Sequence, residues 1–193
     1  SQLISIHADV LLYCTRQSVA DTINTEHRIK DYPFNERVKA TTSLEDIGRN
    51  CRLIFPILPS EHFRSVLHNL APYIGPGHMM IHGTKGLDVS EDFKKAVEIR
   101  EIKTSVFTMS EVIRQETSVI RSGCLAGPNL AKEILAGQPA ATVIASEFDE
   151  VIELGRSVLA GSRFIVYGSY NLKGIELAGA LKNVIAIASG IMN

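Results

Sequence analysis

Lys182 and Asn183 stand together in an otherwise apolar stretch that runs from Ile175. Read as a helix, this stretch gives Lys182 the neighbours Ala178, Gly179, Ile185 and Ala186 at three and four residues' distance, all small or apolar. An ammonium held among such side chains is expected to be desolvated, which lowers a lysine pKa and suits a proton donor or acceptor working near neutrality. The bland alternative is a lysine that snorkels to the surface or pairs with a carboxylate. A second lysine, Lys85, lies in Gly83-Thr84-Lys85-Gly86-Leu87, directly after the run Met79 to His82. A lysine at the carboxyl edge of a sheet strand, beside glycines that let backbone approach closely, lies where α/β proteins place ligands. An exposed loop lysine would read the same way, and His82 is expected to face the core or hydrogen bond rather than catalyse. The third candidate is Gly127-Pro128-Asn129, followed by Leu130 to Glu133, a strand running into a helix start. Free amides at such a start can hold an anion or a polar substrate group, although a simple capped helix needs no ligand.

The elements that must position these groups are short β-rich runs alternating with amphipathic stretches. That is the pattern of a doubly wound parallel sheet with crossover helices. Strands are expected at Asp9–Cys14, Val38–Thr41, Arg52–Leu58, Met79–His82, Val119–Ala126, Ala141–Ala145 and Phe164–Tyr167; most are too apolar to alternate, as when both faces are covered. Between them, Ser43 followed by Asp46 reads as a helix cap, and Phe63, Val66, Leu67 and Leu70 form one apolar helical stripe. Gly75-Pro76-Gly77 precedes a strand and reads as a turn rather than a phosphate cradle. No glycine-rich turn follows Asp9–Cys14. If that run is the second strand of a dinucleotide fold, the ribose-side residues are Thr15 and Arg16, and the glycines fall before Ser1. A guanidinium there can pair with a 2′-phosphate, so Arg16 leans towards NADP, with a solvated strand-end arginine as the alternative.

The strand–helix rhythm stops at Gly168 to Lys173, which places a domain boundary there: residues 1–168 as a Rossmann-like sheet domain, 169–193 as a linker and the first helix of an all-α domain. The bulk composition excludes several function classes. With 20 basic and 21 acidic residues the formal charge is −1, without the basic surface that nucleic acid requires. Cys14, Cys51 and Cys124 fit no metal or redox spacing and read as small core residues in apolar, strand-like runs, in a reducing compartment. No signal-peptide pattern opens the chain, so the cytoplasm is expected. Leu177–Asn193 could be mistaken for a membrane span. Lys182 and Asn183 near its middle favour a buried helix of a soluble protein.

Four segments, in order and spacing, carry a resemblance. They are Ile54 to Ser60, Gly83 to Leu87, Gly127 to Glu133, and Gly174 to Val184 with its Lys182-Asn183 pair. Together they make the chain similar to the bacterial-type, soluble NAD(P)-dependent glycerol-3-phosphate dehydrogenases. The resemblance implies hydride transfer between NADP or NAD and dihydroxyacetone phosphate, forming glycerol 3-phosphate for phospholipid synthesis. It implies Lys182 as the acid–base residue, with Lys85 contacting both substrate and cofactor and polarising the carbonyl. Gly127, Asn129 and Asn183 are implied on the substrate side; Thr15, Arg16, Pro59, Ser60 and Ala131 on the cofactor side. A homodimer fits the family as well. Asn171 stands where an aspartate is common and Ala126 where a serine is common. The glycine turn and the phosphate-binding arginine would fall outside residues 1–193, so this stretch alone is expected to have little activity. A related hydroxyacid dehydrogenase and a non-catalytic Rossmann-like module remain the alternatives.

Overall fold

The computed structural model describes residues 2–29, 32–89 and 106–191. Its first layer is a parallel pair, β1 (Val10–Tyr13) and β4 (Val38–Thr41), with Val10 opposite Val38. Helix α2 (Gln17–Glu26) crosses over this pair and buries Ala20 and Ile23 against Val38 and Ala40. The outer edge of β4 is closed by Asn24. Its amide donates to the Ala40 carbonyl at 2.9 Å and its oxygen accepts from the Ala40 N–H at 2.8 Å, satisfying backbone groups that an edge strand leaves open.

The larger sheet has the order β11 (Phe164–Ser169), β10 (Ala140–Ser146), β9 (Arg121–Ala126), β6 (Met79–His82), β5 (Leu53–Ile54). Successive side chains of a strand point to opposite faces, and β6 shows the result. Met80 joins a core with Ile47 of α3 (Leu44–Asn50), Phe63, Leu67 and Leu70 of α4 (Ser60–Leu70), and Val112 and Ile113 of α5 (Met109–Glu116). Met79 and Ile81 join the core on the other face, with Ile144, Val166 and α7 (Asp149–Leu159). Gly155 lets α7 lie directly on this sheet, since a Cβ there would fall 2.5 Å from Ile144 Cδ1 and 2.7 Å from Ile81 Cδ1. Helix–sheet–helix layering of this kind is Rossmann-like. Two short antiparallel pairs, β2 (Arg28–Ile29) with β3 (Tyr32–Pro33) and β7 (Asp88–Val89) with β8 (Val106–Phe107), accompany it, together with short α1 (Gln2–Ser5) and α6 (Ala131–Leu135). The final element is α8 (Leu172–Ile191).

Several expectations are corrected. The sheet is mixed: β5, β6 and β9 are parallel, but β10 runs antiparallel to β9, and β11 follows β10. The run Arg52–Leu58 yields only two strand residues, because Pro56 has no N–H to donate and β5 pairs on one side only. No ladder among the described residues joins β1 to β5, although Leu11 packs on the core that contains Ile54. Of the cysteines, only Cys124 is buried in a strand, its thiol pushed up to about 12, first by burial and then by the nearby Glu176 carboxylate. Cys14 and Cys51 are half-buried, beside elements rather than within them. Helix α8 is not the buried helix expected from its composition. From Leu181 onwards it is exposed, because nothing in the described chain lies over it. At 20 residues and a mean hydropathy of 1.3 it is long and apolar enough to cross a membrane. Residues 192 and 193, expected at its end, lie outside the described residues.

Candidate active site

The carboxyl ends of β5 and β6 are sewn together one residue at a time. The Gly83 N–H donates to the Pro56 carbonyl at 3.2 Å. The buried Thr84 hydroxyl donates to the Leu58 carbonyl at 2.8 Å and accepts from the Leu58 N–H at 3.2 Å. Gly86, at φ +152°, sits so close to Ser60 that a Cβ would meet its Oγ at 2.9 Å. The Pro59–Ser60 turn and the Lys85 loop therefore form one rigid rim, with Lys85 exposed upon it.

The reversal of β10 and β11 decides how α8 reaches this rim. Because β11 runs against β9, it points away from the rim and ends with Ser169 level with Ala145 and Cys124; α8 turns back from there, with Leu172 packed on Cys124 and Ala145. It then runs alongside β9, with Gly179 passing near Ala126. At about 1.5 Å per residue, Lys182 lies about 15 Å from Leu172, past the end of β9. A cavity of about 330 Å³ opens there. Ala126, Gly127 and Pro128 form one wall, Ile175, Ala178 and Gly179 the other, and the two charged groups lining it are Lys85 and Lys182. The Lys85 ammonium also donates to the Gly127 carbonyl at 3.4 Å. Two ammonium groups in a small, otherwise apolar cleft suit the binding and polarisation of an anionic or carbonyl-bearing molecule.

Lys182 thus shares the cleft with Lys85 and Gly127 but is exposed, which corrects the expectation of an ammonium buried among small side chains: α8 leaves the sheet after Gly179. Asn183 is exposed on α8 and does not line the cavity. Asn129 turns to β10, donating to Thr142 Oγ1 at 3.0 Å, and its buried Oδ1 has no partner among the described residues. Ala131 opens α6, a helix of only five residues. Thr15 and Arg16 follow β1, exposed, and Arg16 occupies the N-cap position of α2 without a side-chain cap. They do not line the Lys85–Lys182 cleft.

One polar cluster was not anticipated from the residue pattern. His82 Nε2 donates to Glu176 Oε1 at 2.8 Å, and the Ser110 N–H, in the first turn of α5, donates to the same oxygen at 2.8 Å. Both side chains are buried, at 3% and 5% exposure. Burial alone would push the Glu176 carboxyl up, but the bonds from His82 and Ser110 outweigh it and hold it below its ordinary value. Ser110 Oγ also lies 3.3 Å from His82 Nε2. The trio is no hydrolytic triad, because serine and carboxylate approach the same ring nitrogen while Nδ1 has no partner among the described residues. Its one sequence signal was a carboxylate inside the apolar run Gly174–Ala178.

Residues 2–152 match the family described as NAD-dependent glycerol-3-phosphate dehydrogenase N-terminus. A glycerol-3-phosphate dehydrogenase [NAD(P)+] of Acinetobacter baylyi is 37% identical over 187 residues, covering 95% of this chain and 48% of that protein. One from Saccharophagus degradans is 34% identical over 168 residues, covering 87% and 43%. Among solved structures, glycerol-3-phosphate dehydrogenase from Coxiella burnetii superposes with a TM-score of 0.78 at 26% identity, over 98% of this chain and 56% of that one. DsGPDH of Dunaliella salina gives 0.84 at 20% identity, over 98% and 34%, a likeness of fold. The chain spans about half the length of the curated relatives it matches.

Proposed function

Because this chain belongs to the NAD-dependent glycerol-3-phosphate dehydrogenase family, we propose that the full natural chain carrying it reduces dihydroxyacetone phosphate to glycerol 3-phosphate with NADPH or NADH. The observation that carries this reading is the pair of ammonium groups, Lys85 and Lys182, on one apolar-walled cleft at the carboxyl edge of the sheet. The residues present fit the cofactor in chemistry. Thr15 and Arg16 offer a hydroxyl and a guanidinium at the end of β1, where a ribose and a 2′-phosphate are met; Pro59 and Ser60 follow β5 at the start of α4, and Ala131 opens α6 after β9. When bound, the nicotinamide supplies the hydride. Lys85 orients the substrate and polarises its carbonyl, drawing electron density towards oxygen. Lys182 gives its proton to that oxygen as the carbonyl carbon is reduced, and its exposure lets solvent restore the proton. Gly127, Asn129 and Asn183 are the remaining substrate-side residues in this reading.

The finer readings that accompany it are a division into a sheet domain, 1–168, and a helical segment from 169, a cytoplasmic location for phospholipid precursor synthesis, no membrane span in α8, no nucleic-acid partner, and a homodimer. Partition of the full natural chain between soluble and detergent fractions tests the second and third, and sedimentation the last. The activity itself is tested by nicotinamide oxidation with dihydroxyacetone phosphate. Lys182→Ala is expected to lower kcat by about 10²–10⁴-fold and to leave cofactor affinity, read by fluorescence titration, unchanged. Undiminished turnover in Lys182→Ala would remove the acid–base role, and turnover of a hydroxyacid in place of the triose phosphate would replace the substrate.

A further inference from the structure

Only the first half of α8 rests on the protein; beyond Gly179 and Ala180 it stands in solvent. The deepest polar anchor in that resting half is Glu176, whose Oε1 takes one hydrogen bond from His82 at the end of β6 and one from Ser110 at the start of α5. His82 is three residues before Lys85, and Glu176 is six residues before Lys182. The two lysines of the cleft are thus tied through one carboxylate, from Lys182 back along α8 to Glu176, across to His82, and out through Gly83 and Thr84 to Lys85. We propose that Glu176 is a positioning residue, clamping α8 to β6 and α5 so that Lys182 is held at a fixed distance from Lys85.

Two arguments carry the clamp. The first is leverage: six residues of helix are about 9 Å, so a pivot of about 10° at Glu176 would move the Lys182 backbone by about 1.6 Å. Displacements near 1 Å at a reacting group can cost about 100-fold in rate. The second is energetic. A buried histidine–carboxylate pair is a poor stabiliser compared with apolar side chains of the same volume, and here His82 Nδ1 is buried without a partner among the described residues as well. An arrangement that gives up stability in this way is explained by the geometry it fixes. The Lys173 ammonium, 3.2 Å from Glu111 Oε1, adds a second, solvent-exposed tie between α8 and α5, and Leu172 adds an apolar one to Cys124 of β9 and Ala145 of β10.

The proposal rests on the dehydrogenase reading of the cleft, so the test includes a readout that does not require turnover. In the full natural chain, Glu176→Leu fills the site without accepting a hydrogen bond, whereas Glu176→Gln keeps an oxygen to accept both. With dihydroxyacetone phosphate and NADPH, Glu176→Leu is expected to lower kcat by about 10–100-fold with the KM for NADPH within about twofold. Glu176→Gln is expected to recover most of that loss. Adding His82→Gln to Glu176→Leu should lower kcat little further, as for residues acting through one contact. Independently, a short bifunctional amine reagent should join Lys85 to Lys182 several-fold less in Glu176→Leu than in the wild type or Glu176→Gln, below the melting temperature of each. Wild-type kcat and cross-linking in Glu176→Leu would overturn the clamp. So would equal loss in Leu and Gln variants that merely follows their melting temperatures. If the wild type does not reduce the triose phosphate, the dehydrogenase reading falls and the cross-link comparison still decides the clamp.

Discussion

Gly86 holds a backbone angle that only glycine adopts easily, and its missing side chain is where Ser60 Oγ sits. Gly86→Ala therefore meets two obstacles at once, a positive φ and a 2.9 Å contact. It is expected to cost about 1–3 kcal/mol of stability, read as a lowered denaturant midpoint, and to loosen the rim that carries Lys85. At this scale the sequence was informative where a residue type has few uses. Lys85 among glycines and Lys182 among small side chains both announced themselves, and both line the cleft. The exposure of Lys182 was not readable, since helical neighbours show what lies beside a lysine and not what lies above it. Glu176 was opaque for a different reason: its partner His82 is 94 positions away, and a carboxylate in an apolar run does not by itself say which group it meets.

Arg64 ties three elements. Its guanidinium, on α4, bonds Asp88 of β7 at 2.7 Å, pairs with Glu116 at the end of α5, and lies 5.8 Å from the Phe107 ring of β8. Burial would push Glu116 up, but the bonds from Arg64 and His68 hold its carboxyl below the ordinary 4.5. A carboxyl with a lowered folded value contributes stability that is complete above about pH 4.5 and is lost as pH falls through the folded value. Arg64→Met should lower stability at pH 7 by about 1–2 kcal/mol, the lower range being appropriate to a guanidinium one-third exposed. It should also flatten the acid limb, measured as urea midpoints between about pH 3 and pH 7. The stripe of α4 was plain in the sequence, because Phe63, Val66, Leu67 and Leu70 recur with helical spacing. The direction of β10 was hidden. An apolar strand covered on both faces has the same pattern whichever way it runs, and only the β9–α6–β10 connection sets its sense.

Across the whole molecule, composition and motif order identified the layered fold and the family, while exposure depended on what covers each surface. Val184, Ile185, Ile187 and Ile191 of α8 are between 60% and 80% exposed. A continuous apolar strip of this kind promotes association. The 193-residue chain is expected to bind a hydrophobic dye and to elute as more than one species in size exclusion. Ile185→Glu with Ile187→Glu should reduce both effects, and an unchanged elution profile would count against α8 as the sticky surface.

The helix that brings Lys182 to the cleft also fixes its bearing, like a hand on a dial set by Leu172 and Glu176. One alanine inserted between Gly179 and Lys182 would turn the ammonium by about 100° around the axis, away from Lys85. Seven inserted residues would restore the heading but carry the amine about 10 Å too far. A single added residue would thus silence a site in which every original side chain is still present.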